Sequence, residues 1–233
     1  MNKLRPATRV LNDILDLLYP VTCLVCGDRM QNGAHLCHYC RDHAFVRSDR
    51  GGMESEAGFI LPDWIVVQES LWEFDKGGYL QDVLHQLKYG GLAALGRALG
   101  RSLGNTLLAN SLLIPVAGVK LLPVPLHPAR QRKRGYNQAE LIAEGAAGVT
   151  GSEVLNGNVM KRVKKTRTQT GLNAQKRRKN LDGAFRLEDP GRIRDERVLL
   201  IDDVITTGAT VMALAQEIRQ DAKAVGIATV ARA

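Results

Sequence analysis

The sequence predicts an α/β protein with a doubly wound parallel sheet and a small N-terminal four-cysteine module. Three observations carry this. Val198-Leu199-Leu200-Ile201 is a continuous apolar run, the pattern of a parallel strand buried on both faces. It runs into Asp202-Asp203-Val204-Ile205, then Thr206-Thr207-Gly208-Ala209-Thr210, and then a helical stripe of Val211, Leu214, Ala215 and Ile218. Elsewhere from residue 64 onward, strand-like runs alternate with amphipathic helices, the signature of a parallel sheet with helices on both faces. Finally, all four cysteines lie between residues 23 and 40.

The chain of 233 residues suits one sizeable domain plus an appendage. The boundaries expected are 1–45 for an N-terminal helix and metal module, 46–63 for a linker, and 64–233 for the main domain. The net charge of +8 points to an anionic partner. The apolar N-terminal stretch is interrupted by Asp13 and Asp16, which does not suit a signal peptide. No apolar run is long enough to insert in a membrane. The expectation is a cytoplasmic protein, in which clustered cysteines bind metal rather than form disulfides.

In order, residues 7–19 read as a short amphipathic helix stopped by Pro20, with Val10, Ile14, Leu17 and Leu18 on one face. Cys23-x-x-Cys26-Gly27 and Cys37-x-x-Cys40 follow. Each pair can hold two corners of a tetrahedron, so four thiolates would close a structural Zn²⁺ site. His35, His38 and His43 lie near enough to replace a ligand, although solvated surface histidines are the simpler reading. Such modules bind nucleic acid, bind protein or pin a terminus, and the sequence does not choose among these.

Residues 64–74 read as a strand with Ile65, Val67 and Trp72 inward, and Gly77-Gly78 as a turn. Leu80, Val83, Leu84 and Leu87 make a helical stripe ending at Lys88-Tyr89. A second helix covers 92–110, where Gly96, Gly100 and Gly104 recur every fourth residue and imply close packing on a neighbour. Strands are expected at 119–124, 154–160 and 224–230, with a helix after residue 138 carrying Ala139, Leu141, Ile142 and Ala146. Residues 125–138 read as a basic loop. Residues 161–181, basic and without an acid, read as a mobile loop leading to an approach at 184–187.

A strand, a tight polar turn and a helix start form an anion site, because the first helical N–H groups lack partners and the dipole is positive there. Thr206, Thr207 and Thr210 add hydroxyls, and Gly208 lets a ligand approach the backbone. Acids are poor phosphate ligands, so Asp202 and Asp203 should serve another part of the same molecule. A sugar phosphate fits, with phosphate in the cradle and ribose hydroxyls on the aspartates. Ligands in such sheets sit beyond the carboxyl ends of the strands, where the loops 125–138, 161–181 and 202–210 would converge.

The apolar strand, Asp-Asp and Thr-Thr-Gly-x-Thr resemble the phosphoribosyl pyrophosphate (PRPP) motif of the type I phosphoribosyltransferases. Nearly the whole chain resembles the ComF family, which is linked to competence for DNA uptake. The resemblance rests on the cysteine pairs, on Leu87-Lys88-Tyr89, and on Pro123-Val124-Pro125-Leu126 through Arg130 to Arg134-Gly135-Tyr136-Asn137-Gln138. It also includes Thr166, Gln169, Leu172, Arg177, Asn180 and Ala184-Phe185 of the mobile loop, and Val198 to Thr210. Many members carry a second set of paired cysteines that this chain lacks, so a single-zinc module is implied.

The resemblance implies a type I phosphoribosyltransferase fold that binds PRPP with Mg²⁺ through Asp202, Asp203, Val204, Ile205, Thr206, Thr207, Gly208, Ala209, Thr210, Lys88, Arg130 and Arg134. Asp202, Asp203, Arg130 and Arg134 would be the catalytic residues, and a nitrogen compound would accept the phosphoribosyl group. The alternative is a non-catalytic single-stranded DNA-binding accessory, with PRPP as regulator or relic. A third reading is a zinc-pinned partner of a DNA-uptake helicase. Neither the acceptor nor the oligomeric state can be read from the residues.

Overall fold

The structure, a computed structural model, describes residues 20–30, 33–48, 62–110, 118–155, 157–164, 181 and 183–233. The helix expected at 7–19 lies outside the described residues, as do Thr166, Gln169, Leu172, Arg177 and Asn180.

Five strands form one parallel sheet. They are β1 (Ile65–Glu73), β2 (Val119–Pro123), β3 (Glu153–Val154), β6 (Arg197–Ile205) and β7 (Ala224–Arg232). Their spatial order is β1-β7-β6-β2-β3, and every neighbouring pair runs parallel. Side chains alternate between the two faces along each strand. Leu121, Leu199, Ile201, Ala228 and Val230 enter one core with α2 (Tyr79–Tyr89), α3 (Ala93–Ala109) and α5 (Gln138–Thr150). Leu122, Val198, Leu200, Val225 and Ile227 enter the other with α6 (Ala209–Ile218). Helices therefore cover both faces, which is why the strands read as continuous apolar runs.

The glycine repeat in α3 meets α5, as its spacing implied. A Cβ built on Gly100 would lie 2.1 Å from the Ile142 carbonyl oxygen, and one on Gly104 2.9 Å from that of Ala146.

Several boundaries differ from the sequence expectation. The strand expected at 154–160 is two pieces: β3 ends at Val154, and β4 (Met160–Arg162) pairs antiparallel with β5 (Phe185–Leu187) in a separate hairpin. The turn around Gly157 divides them. The expected mobile loop accordingly begins within β4, and its last residue, Leu181, is buried in the core beside α6. The basic stretch 125–138 is not all loop, because Pro128–Arg134 forms α4. His127 caps it by accepting the Ala129 N–H on Nδ1, Pro128 stands in its first turn, and Gly135 closes it at φ 86°. The strand expected at 198–201 continues through both aspartates to Ile205, because its ladder with β7 continues to Arg232.

The cysteine module contains α1 (His38–His43) and packs on the first core through Leu36 and Phe45. The Phe45 ring lies 4.8 Å from that of Trp72, which is fully buried. Val46–Ser48, expected within the linker, run antiparallel to the outer side of β1. There the Glu73 N–H donates to the Val46 carbonyl and the Ser48 N–H to that of Leu71. Among the described residues, no helix is long and apolar enough to cross a membrane.

Candidate functional site: a carboxylate pair, a phosphate cradle and a thiolate cluster

Asp202 and Asp203 are consecutive in β6, so their side chains leave opposite faces of the sheet. Asp203 meets α2, where its Oδ2 lies 2.5 Å from the Lys88 Nζ. Asp202 instead lines a cavity of about 70 Å³ with Thr206, Thr207, Gly208 and the first turn of α6. Its Oδ1 accepts the backbone N–H of Asp203 at 2.8 Å. The two acids that sequence reasoning treated as one ribose clamp are thus divided between a lysine and the cradle.

The divided environment separates their protonation. Burial and the adjacent Asp203 charge push the Asp202 carboxyl well above its usual range. Burial also opposes ionisation of Asp203, but the Lys88 ammonium outweighs it and holds that carboxyl below its usual range. The two carboxyls are therefore pushed in opposite directions, as close carboxylates in unlike surroundings are.

The cradle follows the strand directly. Gly208 takes φ 65° as the residue preceding α6, a conformation that a β-carbon would strain. The Thr207 Oγ1 is buried and has no hydrogen-bond partner among the described residues. A buried hydroxyl left without a partner is costly, and an anion seated against the helix start would satisfy it. The donor set thus fits a phosphate.

Positive charge comes from three directions. Lys88 stands in the last turn of α2, and the Tyr89 ring that ends the helix lies under the Arg134 guanidinium, 5.3 Å from its centroid. Arg134 donates to Gln138 Oε1, and its charge helps keep Asp203 ionised. Tyr136 donates its hydroxyl proton to the Leu87 carbonyl, tying the loop after α4 to the end of α2. Asn137 donates to the Val124 carbonyl at 3.1 Å and accepts the Ala139 N–H to cap α5. Arg130 comes close enough to Arg162 for their like charges to interact.

Sequence reasoning put Arg162 in a mobile loop. It lies in β4, 7% exposed, with its guanidinium 5.3 Å from the centre of the Phe185 ring. Met160 and Arg162 are buried while Lys161 is exposed, an alternation that the sequence Met-Lys-Arg does not announce.

Asp202→Asn should raise the melting temperature at pH 8. For a carboxyl with a raised folded pKa, the unfavourable contribution is absent below the unfolded range near ~3.9, grows as pH rises toward the folded value, and persists above it. Asparagine removes it. Thermal unfolding of both proteins at pH 4 and pH 8 checks this, and an equal gap at both values would refute the assignment.

In the N-terminal module, the four cysteine sulfurs all lie within 4.8 Å of one another, and the Cys26 and Cys37 Sγ atoms are 3.8 Å apart. Zn–S bonds of ~2.3 Å in a tetrahedron require sulfur separations of ~3.8 Å, so Cys23, Cys26, Cys37 and Cys40 fit Zn²⁺. Gly27 turns the first knuckle at φ 78°, and the Cys37 sulfur caps α1 by accepting the Cys40 N–H. Burial opposes ionisation of Cys23, but the N–H groups of Cys26, Cys37 and Val25 prevail and bring its thiol down to about 6. None of His35, His38 and His43 joins the cluster.

The fold and these two sites define an α/β protein with a parallel sheet and an N-terminal four-thiolate zinc module. Residues 14–50 match the Double zinc ribbon domain family, although the chain's four cysteines provide for one metal. DNA utilization protein YhgH of Salmonella typhimurium is 34% identical over 198 residues, covering 83% of this chain and 82% of that protein. Competence protein F of Haemophilus influenzae is 45% identical over 101 residues, a match spanning 44% of that protein and 43% of this chain. Competence protein ComFC of Bacillus subtilis is 24% identical over 208 residues, covering 89% and 81%. The chain belongs to the ComF family of these competence and DNA utilization proteins.

Proposed function

We propose that the chain binds PRPP together with Mg²⁺ at the carboxyl edge of its sheet and acts in the uptake or use of incoming DNA. The observation that carries the first half is the unpartnered Thr207 hydroxyl, buried in a cradle whose wall includes Asp202. In this reading the loop 204–210 takes the 5′-phosphate, and Asp202 in the cradle wall meets the ribose hydroxyls while Asp203 stays on Lys88. Arg130, Arg134 and Lys88 face the pyrophosphate. Mg²⁺, bound with the substrate, would supply charge neutralisation of the leaving group.

If transfer to a nitrogen acceptor occurs, the residues have distinct tasks. The ionised Asp203 favours positive charge building on the ribose, and the arginines favour negative charge building on the leaving oxygen. The relatives' names, competence and DNA utilization, support the second half of the proposal.

Titration calorimetry with PRPP and Mg²⁺ tests the site. A saturable heat is expected, weakened by about tenfold or more in Asp203→Asn and in Arg134→Gln, the usual effect of deleting a charged hydrogen-bond partner. Absence of heat with folded, zinc-loaded protein would end this reading.

The second reading is a single-stranded DNA-binding accessory, favoured by the relatives' names and the net charge of +8. Backbone binding of that kind should weaken steeply as salt rises. Retention of DNA binding in Asp203→Asn alongside lost PRPP binding would assign the two jobs to different groups.

A further inference from the structure

We infer that the cavity between the β2–α4 corner and the β4–β5 hairpin is the acceptor site, and that it takes a planar nitrogen compound bearing a carboxylate. This rests on the PRPP reading above. The cavity measures about 560 Å³, within the range of small-molecule sites. Pro125, Leu126 and Pro128 line it from the corner, and Met160 and Val163 from the hairpin. Apolar walls from two separate elements suit a flat ring between them.

The charged lining selects the ring's substituent. Lys161, Arg162 and Arg186 contribute cations and Glu140 the opposing carboxyl. Lys161 and Arg186 share one further carboxylate, Glu188, so three cations stand with two carboxyls among the described residues of this lining and its ion pairs. Arg162 is the buried member. Burial and the neighbouring Arg130 bring its guanidinium down to about 10, and an entering carboxylate would favour the cation again. A carboxylate can take both arms of a guanidinium fork, which a neutral carbonyl does less well. Arg162 also interacts electrostatically with Asp202, which lines the phosphate cradle, so it joins the two sites.

In the transfer, the acceptor nitrogen bonds to ribose C1 as the C1–O bond breaks, and that electron pair leaves on pyrophosphate. The nitrogen's proton passes to Glu140, whose carboxyl burial holds above its usual range.

Two matched pairs of probes test this with the full chain, anthranilate against aniline and orotate against uracil. Binding is followed by ligand-observed NMR with and without PRPP and Mg²⁺. The carboxylate member of at least one pair should bind about tenfold tighter than its neutral partner. Arg162→Gln should abolish that preference. Val163→Trp, at a 42% exposed position, should fill the cavity and block the probe while keeping the heat of PRPP binding. Equal binding within both pairs, or none, while PRPP still binds would overturn the acceptor assignment and leave the PRPP reading standing. Carboxylate binding with no PRPP binding would overturn both.

Discussion

Cys40→Ser, or stripping the metal with a chelator, should unfold residues 20–48 and leave the protein open to proteolysis there. The segment has few buried apolar groups of its own: Cys23, Ala34, Leu36, Cys40 and Phe45. Zinc in comparably small modules contributes on the order of 10–16 kcal/mol of apparent binding free energy, most of which is folding free energy. Serine offers no thiolate and leaves an open corner at a position only 4% exposed. Metal analysis should give one zinc per chain in the parent and none in the variant. Limited proteolysis should then cut near the second knuckle. A variant that kept its zinc and its protease resistance would refute the four-thiolate assignment.

Gly100→Ala should lower the melting temperature by roughly 5–10 °C. In an ordinary helix interior the change would stabilise by about 1 kcal/mol. Here the new Cβ would lie 2.1 Å from the Ile142 oxygen and 3.0 Å from the Ala146 nitrogen. Both are backbone atoms of α5, so no side-chain rotation can relieve the contact and the helices must separate. Gly145→Ala attacks the same crossing from the other side, 2.2 Å from the Arg97 oxygen. Gly148→Ala is the control: it lies in the same helix with nothing within 4 Å, and should be neutral or stabilising. Equal melting temperatures for the Gly100 and Gly148 variants would show that the helices are not locked at this distance.

That crossing was legible because a glycine every fourth residue has few uses in a helix that also carries Arg97 and Arg101. The strand, polar turn and helix start were legible for a similar reason: a continuous apolar run, then Thr-Thr-Gly-x-Thr, then a helical stripe fits few other arrangements. The division of the aspartates was hidden because both were placed in the loop 202–210, after a strand taken to end at Ile201. Only the ladder with β7, which extends to Arg232, makes their segment a strand with alternating sides. α4 was missed although its cap, proline and closing glycine stood in the sequence, since its dense basic charge read as a ligand-facing loop. Arg162 could not be ranked above its basic neighbours because its burial comes from the hairpin partner Phe185, far along the chain. Lys88 was singled out by resemblance alone, and the structure supplied its physical role opposite Asp203.

The seam between Val46–Ser48 and β1 has a consequence for handling the protein. Without it, the last strand on that side would offer bare amide and carbonyl groups to any passing extended peptide. Metal starvation should therefore make the molecule self-adhesive, clumping through added strands, while the sheet itself stays intact.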